Sequence, residues 1–130
     1  MTVHFYWFAP TNGDGEFLGL KVPDRKPTLD YIIQVAQTAE KAGFEGILIP
    51  TGIPYLDSWL VGSAIIHNTE KIKPLIAFRP GFVAPTVAAK MSATLDQFSE
   101  GRILVNVVTG GSAKELGQDG DFLEHDDRYR

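Results

Sequence analysis

Four short stretches of the chain are apolar almost without interruption, at 3–9, 46–50, 74–78 and 103–108. None alternates apolar with polar positions. Such runs are what a parallel sheet covered on both faces requires, and their brevity and β-branched content favour strand over a piece of buried helix. Between them the period changes to that of a helix. Leu29, Ile32, Ile33, Ala36 and Ala39 form a stripe over 28–42, with Thr28 placed to cap the start and Gly43 to close the end. A second helix is predicted over 57–68, from Asp57 as N-cap through Leu60, Val61, Ala64 and Ile65. A third begins at Pro85 and runs to Phe98 on the stripe Val87, Met91, Leu95 and Phe98, with Gly101 as its stop.

The order is therefore β-α-β-α-β-α-β, followed by a loop. Leu48, Ile76 and Val105 mark the centres of strands two to four, so the repeat is 28 and then 29 residues. Units of that size build a right-handed parallel α/β fold. An open doubly wound sheet and a closed barrel both satisfy the pattern. A complete (β/α)₈ barrel takes about 250 residues. On that reading residues 1–130 form one partial domain of four strands, three helices and the start of a fourth helix containing Arg130.

Composition narrows the partners. A net charge of −4 gives no electrostatic case for nucleic acid or an anionic membrane. The absence of cysteine excludes disulfides, thiolate metal sites and a thiol nucleophile together. The opening MTVHFYWFAPTNGDG has no basic region followed by a long apolar one, and no run approaches the roughly 18 residues of a membrane span. The expectation is a cytoplasmic protein.

Ligands of a parallel α/β fold gather where strands end, here in the loops 9–19, 50–59, 78–86 and 108–129. Asn12-Gly13-Asp14-Gly15 starts like a calcium loop, but the later acidic ligands are missing and a tight turn is the better reading; no metal site is expected. Gly110-Gly111 follows a strand without the spacing of a dinucleotide or Walker loop, so it either turns the chain or lets backbone approach a flat ligand. His125 and Tyr129 stand four apart, which on an α-helix puts both on one face, either as a ligand pair or as a polar surface beside Asp126 and Asp127. Arg79, directly after strand three, suits an oxyanion or an ion pair. His4, His67, Trp7 and Trp59 read as structural or packing residues.

FYWFAPTNGDGEFLG, GFEGILIPTG, LDSWLVGSAI, PTVAAKMSATLDQFSEGR, LVNVVTGG and FLEHDDRYR occur in the order seen in alkanesulfonate monooxygenases. From about Phe5 to Arg130 the chain resembles the N-terminal part of these bacterial-luciferase-like flavin enzymes. The resemblance implies the closed (β/α)₈ barrel. It also implies reduced FMN supplied by a separate NAD(P)H-dependent flavin reductase, O₂ as oxidant, and oxygenation of an alkanesulfonate or related organosulfur compound to aldehyde and sulfite. A homo-oligomer is the expected assembly.

Carried over by residue, the likeness implies flavin contacts from His125 and Tyr129, with Asn106 and Thr109 near the isoalloxazine ring and Ala77 and Phe78 behind it. Asn12, Tyr55 and Arg79 are implied as substrate-pocket positions. Asn12 stands where the sulfonate enzymes have His, and Tyr55 where they have Cys, which points toward an altered substrate such as a sulfone. The main catalytic residues are expected beyond Arg130, so the 130 residues by themselves are expected to be inactive. A non-catalytic half-barrel that binds flavin weakly or serves in assembly is the alternative.

Overall fold

The computed structural model describes residues 2–17 and 24–129. The end of the first loop at 18–19 and the residue Arg130 lie outside them. Thr28 and Asp57 act as the sequence predicts: the Thr28 hydroxyl accepts from Tyr31 N at 3.3 Å and the Asp57 carboxylate from Leu60 N at 2.8 Å. They open α1 (Leu29–Lys41) and α2 (Ser58–His67), and Pro85 opens α3 (Pro85–Ser99). Around these helices run β1 (Tyr6–Phe8), β2 (Gly46–Ile49), β3 (Lys73–Phe78) and β4 (Leu104–Val107).

The four strands form one parallel sheet in the order β1-β2-β3-β4. A doubly wound sheet reverses direction part-way; this one steps the same way each time. Successive right-handed crossovers then lay every helix on one face, which bends the sheet into an arc of a (β/α)₈ barrel. Residues paired in register share a face. Ile47 and Ile49 with Pro74 and Ile76 face the helices and are buried, whereas Phe8, Leu48, Leu75 and Leu104 line the concave side and remain half-buried or exposed.

The core lies between this convex face and the helices, joining Ile32 and Ala36 of α1, Trp59 and Ile65 of α2 and Leu95 of α3 to the strands. Ile47, Ile49, Ile65 and Ile76 are each 0% exposed, and burial of such a side chain contributes roughly 1.5–3 kcal/mol.

Four expectations need correction. β1 and β4 are not buried: Trp7 is 49% exposed, Phe8 50% and Val107 60%, because each strand has only one neighbour among the described residues. In α3 the buried positions are Ala88, Leu95 and Ser99, while Val87 and Phe98 face outward. The helix is stopped by Glu100 in the left-handed region (φ 56°, ψ 44°), one residue before Gly101. The loop 108–129 also contains structure of its own, α4 (Ala113–Gln118) and a 3₁₀ turn (His125–Tyr129), instead of a single helix start near the end.

The connections at the N-terminal ends of the strands are fastened by two charged residues. Glu40 at the end of α1 accepts through Oε1 from the backbone N–H groups of Glu70, Lys71 and Ile72, which fixes the turn into β3. Burial of Glu40 works against its charge, yet these three donors and the nearby Arg102 outweigh it and hold the carboxyl below its ordinary range. Arg102 donates to the carbonyls of Ile66, Ile72 and Ser99 and to the Thr69 hydroxyl, tying the ends of α2 and α3 together. No helix among the described residues is long and apolar enough to cross a membrane.

Candidate functional site

At the opposite end of the sheet the loops meet. Leu56 N donates to the carbonyl of Thr11 at 3.1 Å, joining the β1 and β2 loops. Gly13 N bonds Pro10 O at 2.9 Å, so Asn12 sits in a tight turn, and its side chain is exposed. Asp14 in the same turn is taken by Arg25 (2.8 Å) and by the Tyr31 hydroxyl (2.8 Å). Desolvation and the Asp14 carboxylate together raise the Tyr31 pKa.

Between the β2 loop, the end of β3 and the end of α4 lies a cleft of about 570 Å³. Tyr55, Phe78 and Arg79, three of the positions singled out from sequence, line it together with Phe82, Ser58 and Asp119. Phe78 packs on Trp59, ring centroids 5.6 Å apart, and Ser58 Oγ donates to Ala77 O at 2.6 Å. The floor of the cleft is thus anchored to the start of α2.

Ala77 pairs in register with Asn106. Because Ile76 and its partner Val105 lie on the helix-facing side, Ala77 and Asn106 fall on the concave side of the sheet. Ala77 is buried, and the half-exposed Asn106 beside it presents both a donor and an acceptor on that side. Thr109 follows at the end of β4, half-buried. Thr11, 1% exposed, carries a hydroxyl with no hydrogen-bond partner among the described residues.

Arg79 is 8% exposed, and its guanidinium meets Glu115 (2.6 Å) and Asp119 (3.4 Å). The Arg79 hydrogen bond, helped by Ile53 N, outweighs desolvation and depresses the Glu115 pKa. The ion-pair reading of Arg79 therefore describes its present state, in a buried rather than a surface setting. His125 is exposed, its Nδ1 3.1 Å from the Asp126 carboxylate, and it does not line the cleft. The segment winds as 3₁₀ helix, in which positions three apart align, so the four-residue α-helical spacing is not the geometry adopted. The side chain of Tyr129 lies outside the described residues. Sequence reasoning missed Glu115, Asp119 and Thr11. The Ser112-x-x-Glu115 spacing was a usable signal for α4, since Ser112 Oγ accepts from Glu115 N at 3.4 Å.

Consecutive parallel strands with every ligand loop at one end define a partial (β/α)₈ barrel carrying its site on the C-terminal face. The chain belongs to the luciferase-like monooxygenase family, whose family model matches residues 3–130. Among solved structures it is similar to a long-chain alkane monooxygenase at 25% identity, covering 99% of this chain and 36% of that one with a TM-score of 0.80. A riboflavin lyase with modified FMN and riboflavin matches at 29% identity, 99% and 35% coverage and a TM-score of 0.82. The oxygenating constituent of 3,6-diketocamphane monooxygenase from Pseudomonas putida, in complex with FMN, shares the fold at 21% identity, with coverages of 92% and 33% and a TM-score of 0.70. The chain spans about a third of the length of these proteins.

Proposed function

We propose that the chain forms the first half of a flavin-dependent monooxygenase barrel that uses reduced FMN and O₂ to oxygenate an alkanesulfonate or related organosulfur compound, releasing aldehyde and sulfite. The observation carrying this reading is the cleft at the C-terminal ends of the strands, lined by Tyr55, Phe78 and Arg79, in a chain whose residues 3–130 match the luciferase-like monooxygenase family. When bound, reduced FMN would supply two electrons, so that one atom of O₂ enters the substrate and the other leaves as water.

The residues of this chain position and enclose. Asn106 offers hydrogen bonds to the polar edge of the ring beside Ala77 on the concave side, whereas Phe78 turns to the helix side and walls the cleft against Trp59. Thr109, with His125 and Tyr129 from the following segment, completes the flavin contacts. Tyr55 narrows the substrate side, and Asn12, exposed in the β1-loop turn, can donate and accept without carrying a proton near neutral pH. Arg79 lines the same cleft with its charge shared between two carboxylates. The groups that bear the sulfonate charge are therefore proposed to come from other parts of the barrel. An NAD(P)H-dependent reductase would deliver the flavin, and the assembly would be a cytoplasmic homo-oligomer.

The test supplies the full-length protein with reduced FMN, O₂ and a panel of alkanesulfonates and measures sulfite. Flavin-dependent sulfite release supports the reading. Reduced flavin that binds without any sulfonate being cleaved refutes the substrate class, and absence of flavin binding refutes the cofactor.

A further inference from the structure

One carboxylate ties three of the site's loops together. Glu115 Oε1 accepts from Arg79 Nη2 at 2.6 Å and from Ile53 N at 3.1 Å, so α4, the end of β3 and the β2 loop converge on a single atom. Two glycines make the space. A Cβ on Gly52 would collide with that carboxylate, and one on Gly110 would lie 2.8 Å from Leu116 and 3.3 Å from Arg79 Nε. α4 is six residues long and buries only Leu116, and a helix of that length does not hold itself together in water. Its seat depends on Leu116 and on the pair of buried Arg79 with half-buried Glu115. Asp119, which caps α4, forms one wall of the cleft.

We propose that Arg79 and Glu115 form a positioning clamp that seats α4 and the end of β4 over the cleft, fixing the cleft's width at Asp119 and the placement of Asn106 and Thr109. The last part rests on the flavin reading above. In this role Arg79 works through Glu115 and need not touch the substrate. A lone buried guanidinium would cost more than the pair is worth. The decisive variant therefore replaces both charges, Arg79→Met with Glu115→Leu, alongside Glu115→Gln, which keeps an oxygen acceptor for both donors.

The experiment measures hydrogen exchange by mass spectrometry in the full-length protein, comparing residues 109–120 with α1, and titrates reduced FMN anaerobically. The double variant is expected to speed exchange over 109–120 by about tenfold or more while α1 stays protected. Reduced-FMN affinity should fall by about fivefold or more, with Glu115→Gln in between. Exchange over 109–120 within about twofold of the parent overturns the clamp, and so does faster exchange that extends equally through α1. Loosened exchange with unchanged FMN affinity overturns the positioning role. A parent protein that takes up no reduced FMN sinks the flavin reading alone, and the exchange comparison still decides the clamp.

Discussion

Replacing Glu40 by Ala should destabilise the fold by about 2–4 kcal/mol, and the loss should fade in acid. The Glu40 carboxylate accepts from three consecutive backbone N–H groups, those of Glu70, Lys71 and Ile72. Hydrogen bonds to a charged group contribute about 1.5–3 kcal/mol each. The first two donors are exposed and water can replace the carboxylate there, whereas the Ile72 N–H is partly buried and would be left poorly satisfied. Counting that bond fully and the other two as surface contacts gives the range stated.

The pH dependence follows from the depressed folded pKa of Glu40. Its stabilisation is complete above the ordinary glutamate value of about 4.3 and is lost as pH falls below it through the lower folded value. Urea denaturation of the full-length protein and of Glu40→Ala at neutral and acid pH measures both effects. Glu40→Gln, which keeps an acceptor but no charge, should cost about 1 kcal/mol. A neutral-pH difference for Ala below about 0.5 kcal/mol, or a gap that stays constant into acid, would refute the reasoning.

Glu100→Gly removes a side chain from a left-handed position (φ 56°) and should stabilise by about 0.5–1 kcal/mol, read as a shifted urea midpoint with unchanged slope. Replacing His125 and Tyr129 together by Ala should weaken anaerobic binding of reduced FMN in the full-length protein; an unchanged dissociation constant would return both to a surface role. Asn12→His with Tyr55→Cys should shift the ratio of specificity constants toward alkanesulfonates, since pocket changes of this size move selectivity by about 1–3 kcal/mol. A ratio that stays within about twofold would show that these positions do not set specificity. The 130-residue chain alone should associate, because Phe5 (64% exposed), Phe8 (50%) and Val107 (60%) leave apolar surface beside two open strand edges; a soluble monomer by light scattering would count against this.

The elements were legible wherever local chemistry decides them. Thr28 and Asp57 cap the helices they were expected to cap, and the apolar runs around Leu48 and Ile76 are strands. What the runs could not reveal is which strands lie at an edge: the exposure of Trp7 and Val107 depends on neighbours, not on their own sequence. Likewise helical spacing alone does not separate Val87 and Phe98, which face outward in α3, from the buried Leu95. At the site, Arg79 was singled out by its place directly after strand three, whereas Tyr55 and Phe78 came from the family resemblance alone; all three line the cleft. Glu115 and Asp119 escaped because an ion pair spanning 36 and 40 residues leaves no local pattern.

Glu40 and Arg102 secure one end of the sheet, whereas the cleft is shaped at the other. Exchanges among the loop residues at 53–56 and 80–83 therefore act far from these two anchors. Such a protein can accumulate changes in its pocket and still assemble. New chemistry can be tried on an old scaffold at little risk to folding.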